Sequence, residues 1–409
     1  MDEQLFDKLA ALPHLSLANR KTTPCKICGS ESYFFDVVDF NKSCNQPEVY
    51  PFDASGVAVP YCRCTVCRFL FTQFFDDWTP QDFARFVYND DYIKVDGEYA
   101  GIRPEREADA IARRLADLAH LRILDYGSGS GVFADRLRSH GFGSVSSYDP
   151  FSSPPRPDGP FDIITCFEVL EHTPSPRGTL SDIASLLDSK GCVIFSTAIQ
   201  PPTIGEIRAN WWYVAPRNGH VSIYSLNSLA RLGQSAGLVL HVGTGGTAFA
   251  GPDMSPESQR ILSLVGRPFQ FFQLTAPERG DTIPPEQKTS WHGVEGSGAA
   301  SFRWTREAEI VWRVQAQPFQ PCELLITVPI QNEIQAGFAS RCRLEVGSKS
   351  VVLARDVGVL IGSLSIQESA EALVKLVTPP VLRPCDLGPK SDARPLGLAI
   401  STGTMAPAE

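Results

Sequence analysis

The chain has 409 residues, of which 43% are hydrophobic, and a formal net charge of −9. Its length suggests two or three domains of about 150 residues, each large enough to bury a core. The acidic charge without a basic stripe argues against nucleic acid as a partner, because phosphate neutralisation supplies most non-specific affinity there. An acidic opening segment and the lack of any run of about 18 apolar residues predict a cytoplasmic protein with reduced thiols and no membrane span.

Two pairs of cysteines near the amino terminus have the spacing of metal-binding knuckles. They are Cys25 with Cys28, and Cys64 with Cys67. Two residues between thiolates let both sulfurs face one tetrahedral ion, so the pairs predict a closed structural zinc site within residues 1–75. Cys62 is an alternative ligand to Cys64. Cys44 stands alone and is interpreted as a small buried side chain.

A tyrosine-bearing segment, YNDDYIKVDGEYAGIRP, follows the second knuckle. Its Tyr88, Tyr92, Tyr99 and Arg103 are candidates for folding over a cofactor and substrate, and ordinary loop or surface residues otherwise. The apolar stripe from Glu105 to Ala119 then predicts an amphipathic helix, to which we assign no chemistry.

Residues 121–131, LRILDYGSGSG, predict a buried strand that ends in a glycine-rich turn. A helix is expected to begin near Val132, with its free N–H groups directed at a ligand that the glycines allow to come close. One helix and one strand later, Asp149 stands where such a sheet places a ribose-binding carboxylate. The glycine spacing alone fits NAD as well.

Together with the run FDIITCFEVLEH at 161–172, these motifs resemble the class I S-adenosylmethionine-dependent methyltransferases. The resemblance covers Glu105 to about Pro252 and implies a Rossmann-like α/β sheet. It implies that S-adenosylmethionine is bound at its methionine part by Asp125, Gly127, Ser128, Gly129 and Gly131, at its ribose by Asp149, and at its sulfonium end by Phe167 and Glu168. The short segment before Phe161 does not supply the rest of a dinucleotide half, which argues against a nicotinamide cofactor.

That segment, PFSSPPRPDGP, also departs from the family. Most class I enzymes place a helix, a strand and a second helix there, but a stretch so short and rich in proline cannot form them. We therefore predict a shortened sheet that lacks its outer third strand, and the adenine contact of that strand stays unassigned.

The knuckle pair and tyrosine segment ahead of the cofactor domain resemble the arrangement of sugar C-methyltransferases. In that family a Tyr-x-Glu-His sequence supplies a histidine base, and His220 in NWWYVAPRNGHVSIYS (210–225) occupies the equivalent place. Arg217 and Gly219 stand at the tyrosine and glutamate positions, so the C-methylation mechanism is not secured. Histidine can take the proton of a hydroxyl nucleophile, and His172 is the other candidate base.

The same aromatic and polar segment predicts a lid over the substrate. Trp212 and Tyr213 offer flat faces that can stack on a sugar, and Arg217 offers charge. Together with Tyr92, Tyr99 and Arg103 they form the predicted substrate set. We assign residues 76–255 to the methyltransferase domain and 256–284 to a linker, and the run APERGDTIPPEQK at 276–288 marks the junction with the part that follows.

Short strand-like runs alternate with polar turns from residue 285 to residue 409 and predict an all-β sandwich. Its ends resemble sandwich modules that accompany bacterial glycan-modifying enzymes. Such modules bind carbohydrate or serve as packing interfaces, and Trp291, Trp304 and Trp312 fit a core as well as a sugar platform.

The whole pattern predicts a three-part enzyme that methylates a saccharide, either a nucleotide sugar or a surface glycan, at oxygen. C-methylation of a keto nucleotide sugar is an alternative. A third hypothesis is a glycan-binding or scaffold protein of polysaccharide assembly whose methyltransferase fold is inactive.

Overall fold

The computed structural model describes most of the chain. The described residues are 22–45, 49–151, 155–201, 203–277, 283–287, 289–295, 301–315, 322–356, 359–366, 371–384, 392, 394 and 396–401. Within these residues no helix has both the length and the apolar character needed to cross a membrane.

An antiparallel sheet and two short helices form the N-terminal part. Their bounds are β1 (Thr23–Pro24), β2 (Glu31–Asp39), β3 (Ala58–Cys64), β4 (Leu70–Phe71), α1 (Pro80–Phe86) and α2 (Tyr92–Val95). A fifth strand, Ser222–Ile223, enters this sheet from much later in the chain and pairs with β4. The N-terminal sheet is therefore joined to the central part of the chain by backbone hydrogen bonds.

The central part is an α/β sheet with the shortened topology that the sequence predicts. Its elements are α3 (Ile102–Leu115), β5 (Arg122–Tyr126), α4 (Val132–Ser139), β6 (Ser144–Tyr148), β7 (Phe161–Phe167), α5 (Pro176–Leu186), β8 (Leu187–Ser196), α6 (Ile204–Ile207), α7 (Leu226–Ser235), β10 (Val239–Gly243), β11 (Gly246–Ala250), α8 (Pro256–Val265) and β12 (Arg267–Gln273). Strand β9 (Ser222–Ile223), between α6 and α7, is the one that joins the N-terminal sheet. The strand order is β6-β5-β7-β8-β11-β10-β12. The first four strands are parallel, and β11 runs antiparallel to β8.

Strand β6 is an outer strand of this sheet, and no strand lies in residues 149–151 or 155–160. Residues 155–160 before Phe161 form neither a helix nor a strand. Inside the sheet, β7 has buried side chains on both faces, as expected for a parallel strand covered by helices on each side.

The predicted linker is wrong for its first part. Helix α8 buries Ile261, Leu262 and Val265 against the face of the sheet that also carries α3 and α4. Strand β12 then pairs with β10, and on its other side with a later strand. The apolar stripe of α8 has the ordinary period of a packed helix, whereas the run of proline and charged residues, APERGDTIPPEQK, starts only at Ala276.

The C-terminal part is all-β. Its strands are β13 (Trp291–Glu295), β14 (Phe302–Thr305), β15 (Glu309–Gln315), β16 (Cys322–Glu333), β17 (Arg343–Val346), β18 (Lys349–Val352), β19 (Ala354–Asp356), β20 (Val359–Ile366), β21 (Glu371–Val377) and β22 (Leu398–Ser401). Strands β15, β21, β17 and β18 form one sheet, while β16 pairs in parallel with β12 and so extends the central sheet. Trp291 and Trp312 lie in the buried cluster of this part and are core residues.

Candidate active site

The glycine-rich turn follows β5 as predicted and depends on left-handed backbone conformations. Gly127, Gly129 and Gly131 have φ values of 76°, 50° and 83°. Gly127 also approaches a neighbour closely, because a Cβ atom there would lie 2.3 Å from Cγ2 of Val169. Only glycine tolerates both the left-handed conformation and the close approach of Val169 at position 127. The turn therefore keeps a conformation in which its backbone is accessible to a ligand.

Asp149 lies directly beside this turn. One oxygen of its carboxylate accepts a hydrogen bond from the Gly129 N–H at 2.9 Å, and the other accepts one from the Phe151 N–H at 2.8 Å. The carboxylate is thus oriented at the carboxyl ends of β5 and β6, where nucleoside ligands bind in sheets of this kind.

Asp125 occupies the end of β5 and is 5% exposed. Its Oδ1 accepts a hydrogen bond from the Thr165 hydroxyl at 3.3 Å, whereas its Oδ2 has no partner among the residues described. Burial raises the pKa of this carboxyl to about 7. A buried acceptor without a partner is costly, so this oxygen suits a donor group carried by a ligand.

Glu168 follows β7 and has a left-handed φ of 52°. Its N–H donates to the Ser196 hydroxyl at 3.0 Å, and that hydroxyl donates to Oε1 of Glu168 at 2.8 Å. Burial, and then the charge of Glu171, raise the pKa of Glu168 to about 7. The preceding Phe167 packs its ring edge-on to Phe133, with ring centroids 5.4 Å apart.

The two candidate bases come together. His172 ends a 3-10 turn after β7, His220 precedes β9, and their ring centroids lie 5.1 Å apart. Nδ1 of His172 lies 3.2 Å from the Gly219 carbonyl oxygen, and Nδ1 of His220 lies 2.9 Å from that of Tyr213. Because a carbonyl only accepts, each Nδ1 carries the proton and each Nε2 keeps a lone pair. Burial lowers the pKa of both histidines, so both rings are neutral near pH 7.

A residue that sequence reasoning missed, Glu171, completes this cluster. It is fully buried, its Oε1 accepts a hydrogen bond from the Tyr213 hydroxyl at 2.6 Å, and its Oε2 has no partner in the described part of the chain. One ligand atom from each of Glu171, His172 and His220 lies within 4.8 Å of the others. The acid in the EVLEH run was the available signal, but its neighbours Glu168 and His172 were singled out instead.

The prediction of a lid over residues 210–225 is wrong for most of the segment. Tyr213 and Arg217 are buried and pack with the N-terminal sheet, whereas Trp212 is 52% exposed. Arg217 donates to the Val87 carbonyl oxygen at 2.7 Å and to Asn89 Oδ1 at 3.0 Å. An alternation of aromatic and polar residues does not reveal burial when the polar groups find partners inside the protein.

The remaining residues of the predicted substrate set divide in the same way. Tyr92 is buried and donates from its hydroxyl to the Asn218 carbonyl oxygen at 3.2 Å, and Tyr99 is 44% exposed. Arg103 is held by Asp96, with Nη2 2.6 Å from Oδ1. Tyr88 packs edge-on to His172, with ring centroids 6.0 Å apart. Among these aromatic residues Tyr99 and Trp212 are exposed, whereas Tyr88 is half-buried.

The four predicted zinc ligands also come together. The sulfur atoms of Cys25, Cys28, Cys64 and Cys67 all lie within 4.8 Å of one another, and Cys62 is outside this group. A tetrahedral zinc ion with Zn–S bonds of about 2.3 Å needs sulfurs about 3.8 Å apart. Backbone N–H groups of Ile27 and Val66 point at the sulfurs of Cys25 and Cys64, at 3.4 and 3.3 Å, as suits thiolates. The donor set fits a closed structural zinc site.

A cavity of about 230 Å³ lies between α3, α8 and the turn that joins β10 to β11. It reaches Phe167 and Ser196, and its wall is mostly apolar, with Glu107 and Arg114 as its charged members. Burial raises the pKa of Glu107 to about 7. The cavity suits an apolar group better than a sugar ring.

Comparison with known proteins agrees with this geometry. Residues 99–241 match the family model described as a methyltransferase domain. Residues 99–241 thus carry the sequence pattern of a methyltransferase domain. A ubiquinone biosynthesis O-methyltransferase of Burkholderia vietnamiensis is 31% identical over 107 residues, which are 20% of this chain and 46% of that protein. One of Aromatoleum aromaticum is 32% identical over 109 residues, 20% of this chain and 47% of that protein. The chain thus spans about half the length of the curated relatives it matches.

Solved structures similar to the methyltransferase domain include a putative methyltransferase from Bacillus halodurans, 17% identical, which covers 33% of this chain and 69% of its own with a TM-score of 0.27. Another is an O-methyltransferase from neocarzinostatin biosynthesis, solved with S-adenosyl-L-homocysteine and 1,4-dihydroxy-2-naphthoic acid. It is 16% identical and covers 39% of this chain and 60% of its own with a TM-score of 0.26.

Proposed function

We propose that the protein transfers a methyl group from S-adenosylmethionine to an oxygen atom of a saccharide, either a nucleotide sugar or a surface glycan. Two observations carry the proposal: the glycine turn is hydrogen-bonded to Asp149, and two neutral histidines cluster with Glu171. Both lie at the carboxyl ends of neighbouring parallel strands, where the cofactor and the acceptor of such a sheet meet.

The cofactor residues have complementary roles in this proposal. Asp149 accepts hydrogen bonds from the ribose hydroxyls, and the unpartnered Oδ2 of Asp125 accepts one from a donor on the methionine part. The backbone of Gly127 and Gly129 approaches the ligand without a side chain in the way. Phe167 and Glu168 border the sulfonium end.

The chemical step is an in-line displacement at the methyl carbon. The C–S bond breaks as the C–O bond forms, so the alignment of the hydroxyl and the exclusion of water supply much of the acceleration. A sugar hydroxyl is a weak nucleophile and must lose its proton during the step. We assign the removal of this proton to His220, with His172 as the alternative, because each ring keeps a lone pair on Nε2.

A saccharide acceptor is supported by exposed aromatic faces near the cluster. Trp212 is 52% exposed and Tyr99 is 44% exposed, and such faces stack on sugar rings. The N-terminal cysteine cluster, proposed as a structural zinc site, has the place that it has in the sugar C-methyltransferases that the sequence resembles. C-methylation would need the tyrosine and glutamate that Arg217 and Gly219 replace, so oxygen is the preferred target atom.

The proposal is tested by incubating the protein with methyl-labelled S-adenosylmethionine and candidate sugars, and by analysing the sugars by mass spectrometry. A labelled product that carries one methyl group on oxygen is expected. His220→Ala should lower turnover by about a hundredfold or more, with cofactor affinity nearly unchanged. His172→Ala is the matched variant: if it abolishes turnover while His220→Ala does not, the proton is taken at the turn after β7.

A second candidate acceptor is a hydroxyl on an apolar ring. The mostly apolar cavity beside Phe167 and Ser196 favours it, and the curated relatives methylate in ubiquinone biosynthesis. A cavity of about 150 Å³ holds a benzene molecule, so about 230 Å³ admits a substituted ring. Methylation of hydroxylated aromatic compounds, with no labelled sugar in the same preparation, would decide for this acceptor.

A further inference from the structure

We propose that Glu171, His172 and His220 bind a divalent transition-metal cation, separate from the cysteine site and at the acceptor side of the cofactor. One carboxylate oxygen and one nitrogen from each histidine lie within 4.8 Å of one another. Two imidazoles and one carboxylate on one side of an ion form a common metal-binding set that leaves other coordination positions open. This inference rests on the proposed function only for the role of the cation.

The partners of the three ligands match those of metal-binding residues. A histidine that ligates a metal through one nitrogen almost always donates its other N–H to a carbonyl or carboxylate, which orients the ring. His172 and His220 both do so, through Nδ1, to backbone carbonyl oxygens at 3.2 and 2.9 Å. Their Nε2 lone pairs are thereby available and fixed in direction.

Glu171 is oriented in the same manner. The Tyr213 hydroxyl donates to its Oε1 at 2.6 Å, while its fully buried Oε2 has no hydrogen-bond partner in the part of the chain that the structure describes. A buried carboxylate oxygen without a partner is unfavourable unless a cation or donor meets it. A cation held by the two imidazoles would meet this carboxylate as well, because one ligand atom of each of the three residues lies within 4.8 Å of the others.

The surrounding charges favour a cation as well. Glu168, on the same turn, is half-buried and adds a second carboxyl group beside Glu171. Imidazole and carboxylate ligands together suit Mn²⁺, Fe²⁺, Co²⁺ and Zn²⁺, whereas the four thiolates of the cysteine site select Zn²⁺. Manganese therefore distinguishes the two sites.

The cation would act on the acceptor oxygen. A hydroxyl bound to a divalent metal loses its proton far more readily, so the proton can pass to water while the oxygen attacks the methyl carbon. The imidazoles would then serve as ligands, and the loss of turnover in His220→Ala would reflect the loss of the ion.

The inference is tested by electron paramagnetic resonance of Mn²⁺ titrated into the full chain, with zinc content measured in parallel. One bound Mn²⁺ per chain is expected beyond the zinc. Glu171→Gln and His220→Ala should weaken Mn²⁺ binding by at least about a hundredfold, and Tyr213→Phe, which removes a partner of Glu171, by about tenfold or more. His140→Ala is the matched control, because His140 lies at the surface beside Asp109, with 2.7 Å between Nε2 and Oδ1.

Wild-type protein that binds no Mn²⁺, or variants that bind it as well as wild type does, would overturn the inference whether or not methyl transfer occurs. Mn²⁺ binding at this site in a protein that methylates none of the acceptors would instead refute the proposed function and leave the site in place. Because the wild-type titration is decisive by itself, a variant that fails to fold does not prevent the test.

Discussion

Replacing Gly127 by alanine should disrupt the glycine turn far more than the same replacement at Gly129. An alanine Cβ at position 127 would lie 2.3 Å from Cγ2 of Val169, in a backbone conformation with φ of 76°. The left-handed conformation costs an alanine about 1–2 kcal/mol, and relief of the overlap by movement of the turn or of Val169 costs about 1–3 kcal/mol more.

Gly129 provides the matched control. Its φ of 50° is also left-handed, but a Cβ there meets nothing within 4 Å. Gly129→Ala should therefore lower the free energy of unfolding by about 1–2 kcal/mol, from the backbone conformation alone. The difference of about 1–3 kcal/mol between the two variants corresponds to about five- to 150-fold in an equilibrium constant.

The assay is isothermal titration calorimetry with S-adenosylhomocysteine, together with urea unfolding of each variant. We expect Gly127→Ala to lose more cofactor affinity or stability than Gly129→Ala does, by about five- to 150-fold in the equilibrium constant. Combining Gly127→Ala with Val169→Ala should recover part of this extra loss. Equal losses in the two single variants, or no recovery in the double variant, would show that contact with Val169 does not shape the turn.

Three further predictions concern separate parts of the molecule. Asp149→Ala should weaken S-adenosylmethionine binding about tenfold or more in calorimetry, because the ribose loses a charged acceptor and the Gly129 N–H loses its partner; unchanged binding would contradict this. Cys64→Ser should lower the zinc content measured by mass spectrometry and the thermal midpoint more than the rate of the chemical step, and full zinc occupancy would refute the ligand set. Burial lowers the pKa of His241 to about 4, so this ring stays neutral in the folded state while it charges in the unfolded state below about pH 6.5. Stability should thus fall by about 2 kcal/mol from pH 7 to pH 5, and His241→Leu should fall less in urea unfolding; an equal fall would exclude His241 as the cause.

The local sequence was sufficient for features that depend on neighbouring residues. The glycine turn, the strand that ends before Asp149 and the helix that begins at Val132 all follow from residue order, because glycine conformation, strand burial and helix starts are short-range properties. The described residues between β6 and β7 include no third strand, as the proline content before Phe161 predicts. The meeting of Cys25 and Cys28 with Cys64 and Cys67 was predictable because cysteine pairs at this spacing are typical of a shared metal site.

Other features were decided by contacts between residues distant in sequence. Nothing local to Tyr213 or Arg217 shows that the N-terminal sheet covers them, because their burial depends on β9 pairing with β4, about 150 residues earlier. Helix α8 and strand β12 were interpreted as a linker because the composition signals of a boundary lie nearby, yet both pack on the central sheet.

The candidate site shows the same division. Sequence motifs selected His172 and His220 individually, but their ring separation and the carbonyl partners of each Nδ1 are set by how the turn after β7 meets the segment before β9. The role of Glu171 could not be recognised from the sequence, because its burial and its hydrogen bond to Tyr213 arise only when these segments pack together. Residue identity sets which chemistry is available at such a site, whereas the packing of remote segments sets distance, burial and protonation, because these depend on the dielectric and the partners that folding brings near.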